Sequence, residues 1–211
     1  MPHEIAPPMG VQPLEFDEFI ARLDALPLDF ACPQNVADAA ALLAGLNANR
    51  HFLIDRAVQE LRAHCAGQRD DNRYTAQVLM LHRVPGRYFV RANFWPALDD
   101  PIVQASGPDH YFYDVPHDHN FDFLTIGHSG PGYGSRWYQR EPGGLAGYPG
   151  EPARLVAGET GALSTGRIMH YRAIARCACP IGAQCPVGQH QHHPRTGRRA
   201  VDGSVSVRPD P

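Results

Sequence analysis

Near Tyr74 the apolar residues of this chain stop recurring every three or four positions and begin to alternate. That change of period restricts each part to a different kind of element. Before it, Phe16, Phe19, Ile20, Leu23 and Leu26 fall at i, i+3, i+4, i+7 and i+10, and Pro27 ends the run. This is the stripe of an amphipathic helix. Asn35 is placed to cap a second helix, with Asp38 in its first turn and the strong helix formers Ala39 to Leu46 behind it. A third helix is expected from about 49 to 66, with Ile54, Val58 and Leu61 on its apolar face. Gly67-Gln-Arg-Asp-Asp-Asn72 then breaks the pattern and closes a helical segment over residues 1–70.

Beyond the change, residues 74–84 and 87–95 read as two strands joined at Pro85-Gly86, a hairpin signal. Further extended runs are expected around 111–126, 135–140, 154–156 and 168–173. Between them lie Gly130-Pro-Gly132, Pro142-Gly-Gly144 and Pro149-Gly150. Many short strands punctuated by glycine and proline pack as an antiparallel sandwich or barrel. The expected fold is therefore mainly β: a barrel over residues 74–173 with the helical segment packed on or beside it.

Composition narrows the function classes. With 43% hydrophobic and 19% charged residues, most of the 211-residue chain should fold around one core. A formal net charge of −3 gives no electrostatic footprint for nucleic acid or an anionic membrane. The first residues lack the basic and apolar regions of a secretory leader. Five cysteines, an odd number without a framework spacing, fit a reducing cytosol. The expected location is cytoplasmic.

From about Ala175 to Pro211 apolar periodicity is lost, and the tail is expected to be irregular and disordered. Cys177, Cys179 and Cys185, with His190, His192 and His193, offer zinc ligand types at a spacing poor for a structural site. Read back into codons and taken one base later, Gln189-His-Gln-His-His becomes a run of Ser, Asn, Ile and Thr that suits a strand. The tail is thus compatible with a frameshift near Ala175 that removed a last barrel strand and, with it, a further histidine. Such a loss would leave an open sheet edge.

The chemistry concentrates in Asp114-Val-Pro-His-Asp-His-Asn-Phe-Asp-Phe-Leu-Thr-Ile-Gly127. In an extended chain alternate side chains share a face, so His117 and His119 point the same way, followed on that face by Phe121 and Phe123. Two neutral imidazoles aimed at one point suit a transition metal.

This segment resembles the first motif of the cupin superfamily, small β-barrels that hold one metal. The family pattern is Gly, five residues, His-x-His, three or four residues, Glu, six residues, Gly. His117 and His119 supply its His-x-His, with a glycine eight residues beyond at Gly127, while Tyr111 stands at the leading glycine and Phe123 or Leu124 at the glutamate. Asp122 is one step short of the carboxylate position. Gly161-Ala-Leu-Ser-Thr-Gly-Arg-Ile-Met-His170 resembles the second motif, with Gly166 at the turn, Ser164 in place of proline and His170 one residue late.

The resemblance covers about half the chain and implies a double-stranded β-helix. It implies a metal held by His117, His119 and His170, with Asp122 as an alternative ligand, and iron(II) as the metal. Zinc, manganese and nickel stay open as alternatives, because imidazole suits several metals. The implied activity is a mononuclear dioxygenase acting on a small, anionic organic substrate. A non-oxygenase metal cupin (an isomerase or hydrolase) and a non-enzymatic small-ligand binder are the alternatives. The partner implied besides the substrate is a second copy of the chain.

Among other residues, Arg136 and Tyr138 share a face of one strand and are candidates to clamp a substrate carboxylate and orient oxygen. Tyr133 lies just before them, and Arg172 shares a face with His170 as a second anion clamp. His128 is a candidate neighbour of the metal ligands or an alternative ligand itself. His82 and His110 read as surface or core histidines, and Trp95 and Trp137 as core residues.

Overall fold

The computed structural model describes residues 2–75, 77–114, 117, 119, 121–140, 154–173, 182–186 and 202–209. The helical segment folds as four helices: α1 (Phe16–Asp24), α2 (Pro33–Ala48), α3 (Phe52–Arg62) and α4 (Ala66–Asp71). α1 follows its stripe, burying Phe16, Phe19 and Leu23. α2 starts two residues earlier than the expected cap at Asn35. Pro33 takes its first position, where a fixed φ and a missing N–H suit the first turn.

α3 departs further from expectation. Ile54, Val58 and Leu61 face solvent, and the helix packs through Phe52 and Leu53 in its first turn. Phe52 stacks parallel to Phe16 at 6.4 Å, and this contact sets which side of α3 is covered. His64 and Cys65 in left-handed conformation separate α3 from α4.

The strands are β1 (His3–Ile5), β2 (Val78–Val84), β3 (Tyr88–Trp95), β4 (Phe123–Ser129), β5 (Gly134–Arg140), β6 (Leu155–Ala162), β7 (Ile168–Tyr171), β8 (Gly182–Pro186) and β9 (Asp202–Pro209). A short helix, α5 (Pro101–Ser106), and a 3-10 turn at Pro108–Tyr111 follow β3. The chain is mixed α and β, with antiparallel pairing between neighbouring strands. Six strands run in the order β1-β7-β4-β9-β3-β2, and a separate sheet runs β6-β5-β8. Among the described residues these two sheets do not join into a closed barrel.

The β2–β3 hairpin turns where Pro85-Gly86 predicts it, with Gly86 at φ +70° between the paired Val84 and Tyr88. The expected strand at 111–126 begins only at Phe123. Residues up to Tyr111 are in the 3-10 turn, and left-handed Phe112 and Asp114 interrupt extension.

The tail also needs correction. Ser204-Val-Ser-Val207 alternates within β9, which lies between β3 and β4 in the larger sheet, with Val205 1% and Val207 0% exposed. Two valines at period two suffice for a strand when both flanking edges are open, a signal that average composition hides. β8 pairs with β5, and the remainder of 174–201 lies outside the described residues.

Each face of the larger sheet has its own core. On one, Leu124, Ile126, Val90, Ala92, Val205 and Val207 pack against Phe19, Leu23, Leu43 and Leu46 of the helices. Arg87 and Tyr88 tie the hairpin to α1, donating hydrogen bonds of 2.9 Å to the Asp24 carboxylate. On the other face, Phe123, Met169 and Tyr171 meet Trp137 and Leu163. The helices therefore cover the side of the sheet away from β5. No helix among the described residues is long and apolar enough to cross a membrane.

Candidate ligand cavity between the sheets

The second face leaves a cavity of about 490 Å³. Its floor is built by strand alternation. Arg91, Asn93 and Trp95 come from β3, Ser206 and Arg208 from β9, and Phe123 and Thr125 from β4. Register sets these side chains in rows, because Arg91 pairs with Ser206 and Ser206 pairs with Thr125. Tyr74, Phe112, Phe121, Tyr133, His117 and His119 supply walls. Trp95 stacks on Tyr133 at 4.5 Å and is a wall of the cavity more than a core residue.

Among the described residues no aspartate or glutamate lines this space, whereas Arg73, Arg91 and Arg208 do. Burial pushes the Arg91 guanidinium down from its usual pKa, opposed by Tyr74 and Tyr133. Arg91 lies over the Tyr74 ring at 4.8 Å, and Arg208 over Phe89 and Phe121 at 3.9 and 4.0 Å. Arg208 also donates to the Tyr74 hydroxyl. Burial raises Tyr133 to about 12, against the pull of Arg91. His119 is lowered to about 3, first by burial and then by His117, Arg91 and Arg208. It is a neutral imidazole at neutral pH.

His117 and His119 are brought together as the sequence suggests. Their ring centres lie 5.1 Å apart at 87°, with Phe123 edge-on to His119 at 4.9 Å. A separation of this size suits two imidazoles sharing an ion at about 2.1 Å. His170 is not brought to them. Its register partner is Leu124, whose side chain faces the helices, and it lies 3% exposed with Phe30 at 5.8 Å. Its Nε2 is 3.3 Å from Asp122, which shares that opposite parity. Among the described residues no group of three or more His, Cys, Asp or Glu could hold a metal. Among these residues the donor set expected for iron is incomplete, and the charged side chains acting on His119 are Arg91 and Arg208.

Arg136 and Tyr138 also miss the cavity. Ser135 lines it and Trp137 joins the second core, so their alternating neighbours turn outward, Arg136 into solvent. Tyr133, just before the strand, takes the inward position instead. Arg172 and His110 are exposed. His128 belongs to the helix side, with Nδ1 2.9 Å from Asn47 Oδ1. His82 is half-buried against Tyr88. Cys177, Cys179, His190, His192 and His193 lie outside the described residues.

Sequence reasoning missed Arg91, Trp95 and Arg208. The alternation Arg91-Ala-Asn-Phe-Trp95 placed the first and last on one face, but only the fold shows that this face meets the histidines. Comparison with protein-family models and with curated proteins gave no match to either.

Proposed function

We propose that this chain is a small-molecule binding protein of cupin-like construction whose inter-sheet cavity takes an anionic organic ligand. The observation that carries this reading is the lining: three arginines, Arg91 among them with its Nε buried, and no carboxylate among the described residues. A concave site with apolar walls and a few convergent polar groups is the usual form of a ligand pocket. The guanidiniums supply charge and forked donors for an oxyanion. Thermal melting tests it with a panel of small organic acids and organic amines. An acid at about a hundred times its Kd adds about 2.7 kcal/mol and should raise the midpoint by several degrees. Stabilisation by amines alone, or by nothing in the panel, contradicts the reading.

A second reading, a mononuclear metal-dependent dioxygenase acting on the same kind of substrate, is favoured by the paired imidazoles at 5.1 Å in the same cavity. It requires a further ligand beyond those the described residues bring to the pair. A metal at this site would be held by His117 and His119, and would supply the activation of dioxygen and the direct binding of substrate. Metal analysis of protein purified without a histidine tag separates the two. One equivalent of iron, lost in both His117→Ala and His119→Ala, supports the dioxygenase. Zinc lost in the same variants points to a Lewis-acid cupin instead.

A further inference from the structure

Several polar atoms of the cavity-lining residues are buried and lack a hydrogen-bond partner among the described residues. They are Gln77 Nε2, Arg91 Nε, Trp95 Nε1 and Ser206 Oγ. Three are N–H donors that cannot accept, and the fourth is a hydroxyl able to donate. Leaving such groups unpaired costs about 1–3 kcal/mol each, so a cluster of them at one cavity calls for an explanation. A ligand rich in acceptors and poor in donors would satisfy them together. A carboxylate matches, with several lone-pair directions and no proton to give at neutral pH.

The rest of the lining constrains the body of that ligand. Trp95 and Tyr133 stack face to face at 4.5 Å and 28°, so the outer face of the pair is one flat wall. Phe121 and Phe123, 5.9 Å apart at 52°, contribute further aromatic surface. Aromatic rings pack best in offset or edge-to-face contact with other rings. A cavity of about 490 Å³ falls in the range that accommodates drug-sized molecules. A long aliphatic acid would leave this flat wall poorly matched.

Building on the proposed binding role, we infer that the ligand is an aromatic carboxylate. Its acid group lies on the Arg91–Ser206 row, and its ring lies against the Trp95–Tyr133 wall. The row is fixed by strand register, so the two contacts are set by the sheet and not by loops. Arg91 would neutralise the acid, and Ser206 would donate beside it. Trp95 would meet the ligand with its ring face, and its indole N–H would be available to a second acceptor.

Isothermal titration with naphthoate, uncharged naphthamide and inorganic phosphate tests this. Naphthoate should bind about tenfold or more tighter than naphthamide, the worth of one charge-assisted hydrogen-bonded contact. Arg91→Gln should lose about that factor for naphthoate while holding naphthamide within about twofold. Retained naphthamide binding shows that the variant is folded. Ser206→Ala, which removes only a hydroxyl, should weaken naphthoate a few-fold and serves where Arg91→Gln does not fold. Equal binding of acid and amide overturns the carboxylate assignment and leaves cavity binding intact. Phosphate binding more tightly than naphthoate overturns the aromatic assignment. Failure of both naphthyl compounds to bind overturns this inference, while the panel melt still decides the broader binding role.

Discussion

A guanidinium withdrawn from water without a carboxylate beside it costs several kcal/mol, and Arg91 is in that position among the described residues. Aromatic faces offset part of that cost, since Arg91 lies over Tyr74. A residue kept for binding at the expense of stability has a measurable signature. Arg91→Met, similar in length and uncharged, should raise the unfolding free energy of the ligand-free protein by about 1–2 kcal/mol while weakening acid binding. Denaturant melts check it, and a clear loss of stability would show that the guanidinium has a structural partner. His128 gives a second test at this scale. Burial, with Arg50 nearby, lowers it to about 4. Between its ordinary value near 6.5 and about 4, the unfolded chain binds a proton that the folded chain does not. Stability therefore falls as pH falls through that window, by about 2 kcal/mol at pH 5 from this group. His128→Leu should flatten the slope between pH 7 and pH 5 in urea melts, and an unchanged slope would assign the loss elsewhere.

At the scale of elements, β9 connects the two parts of the larger sheet. It pairs with β3 along one edge and β4 along the other, and its two valines are buried against the helices. Val207→Ala should cost about 2 kcal/mol through the cavity it leaves. Val207→Asp should abolish cooperative unfolding, measured by near-ultraviolet circular dichroism, because it buries a charge without a partner. A wild-type transition in Val207→Asp would remove β9 from the sheet. This strand was also the least legible element. Its alternation is short and surrounded by Arg, Gly, Pro and Asp, so the residues themselves favour no element until β3 and β4 present their open edges. The longer periodic runs were legible because they carry enough apolar positions to define a face: α1 and the β2–β3 hairpin are where the pattern puts them, while of the run expected at 111–126 only the end from Phe123 is strand. α3 misled for a different reason. Its stripe of Ile54, Val58 and Leu61 is regular, yet Phe52 against Phe16 decided the packing.

At the scale of the molecule, the helices and the smaller sheet occupy opposite faces of the six-stranded sheet, and the cavity belongs to the second interface. The approach of His117 and His119 was readable from their spacing of two, although the strand expected to carry them begins only at Phe123. Their surroundings were not, because Arg91, Arg208 and Tyr133 join them in the cavity lining from β3, β9 and the approach to β5, far apart in sequence. His170 and Asp122 show the converse: near the right place in sequence, they lie on the helix side once register with Leu124 is fixed. A crystal grown with bromobenzoate locates any bound acid through the anomalous signal of bromine. The expected result is a bromine peak inside the cavity near Trp95 and Tyr133, with the carboxylate toward Arg91 and Ser206. A cavity left empty at saturating bromobenzoate, or a peak only on the outer surface, would contradict it.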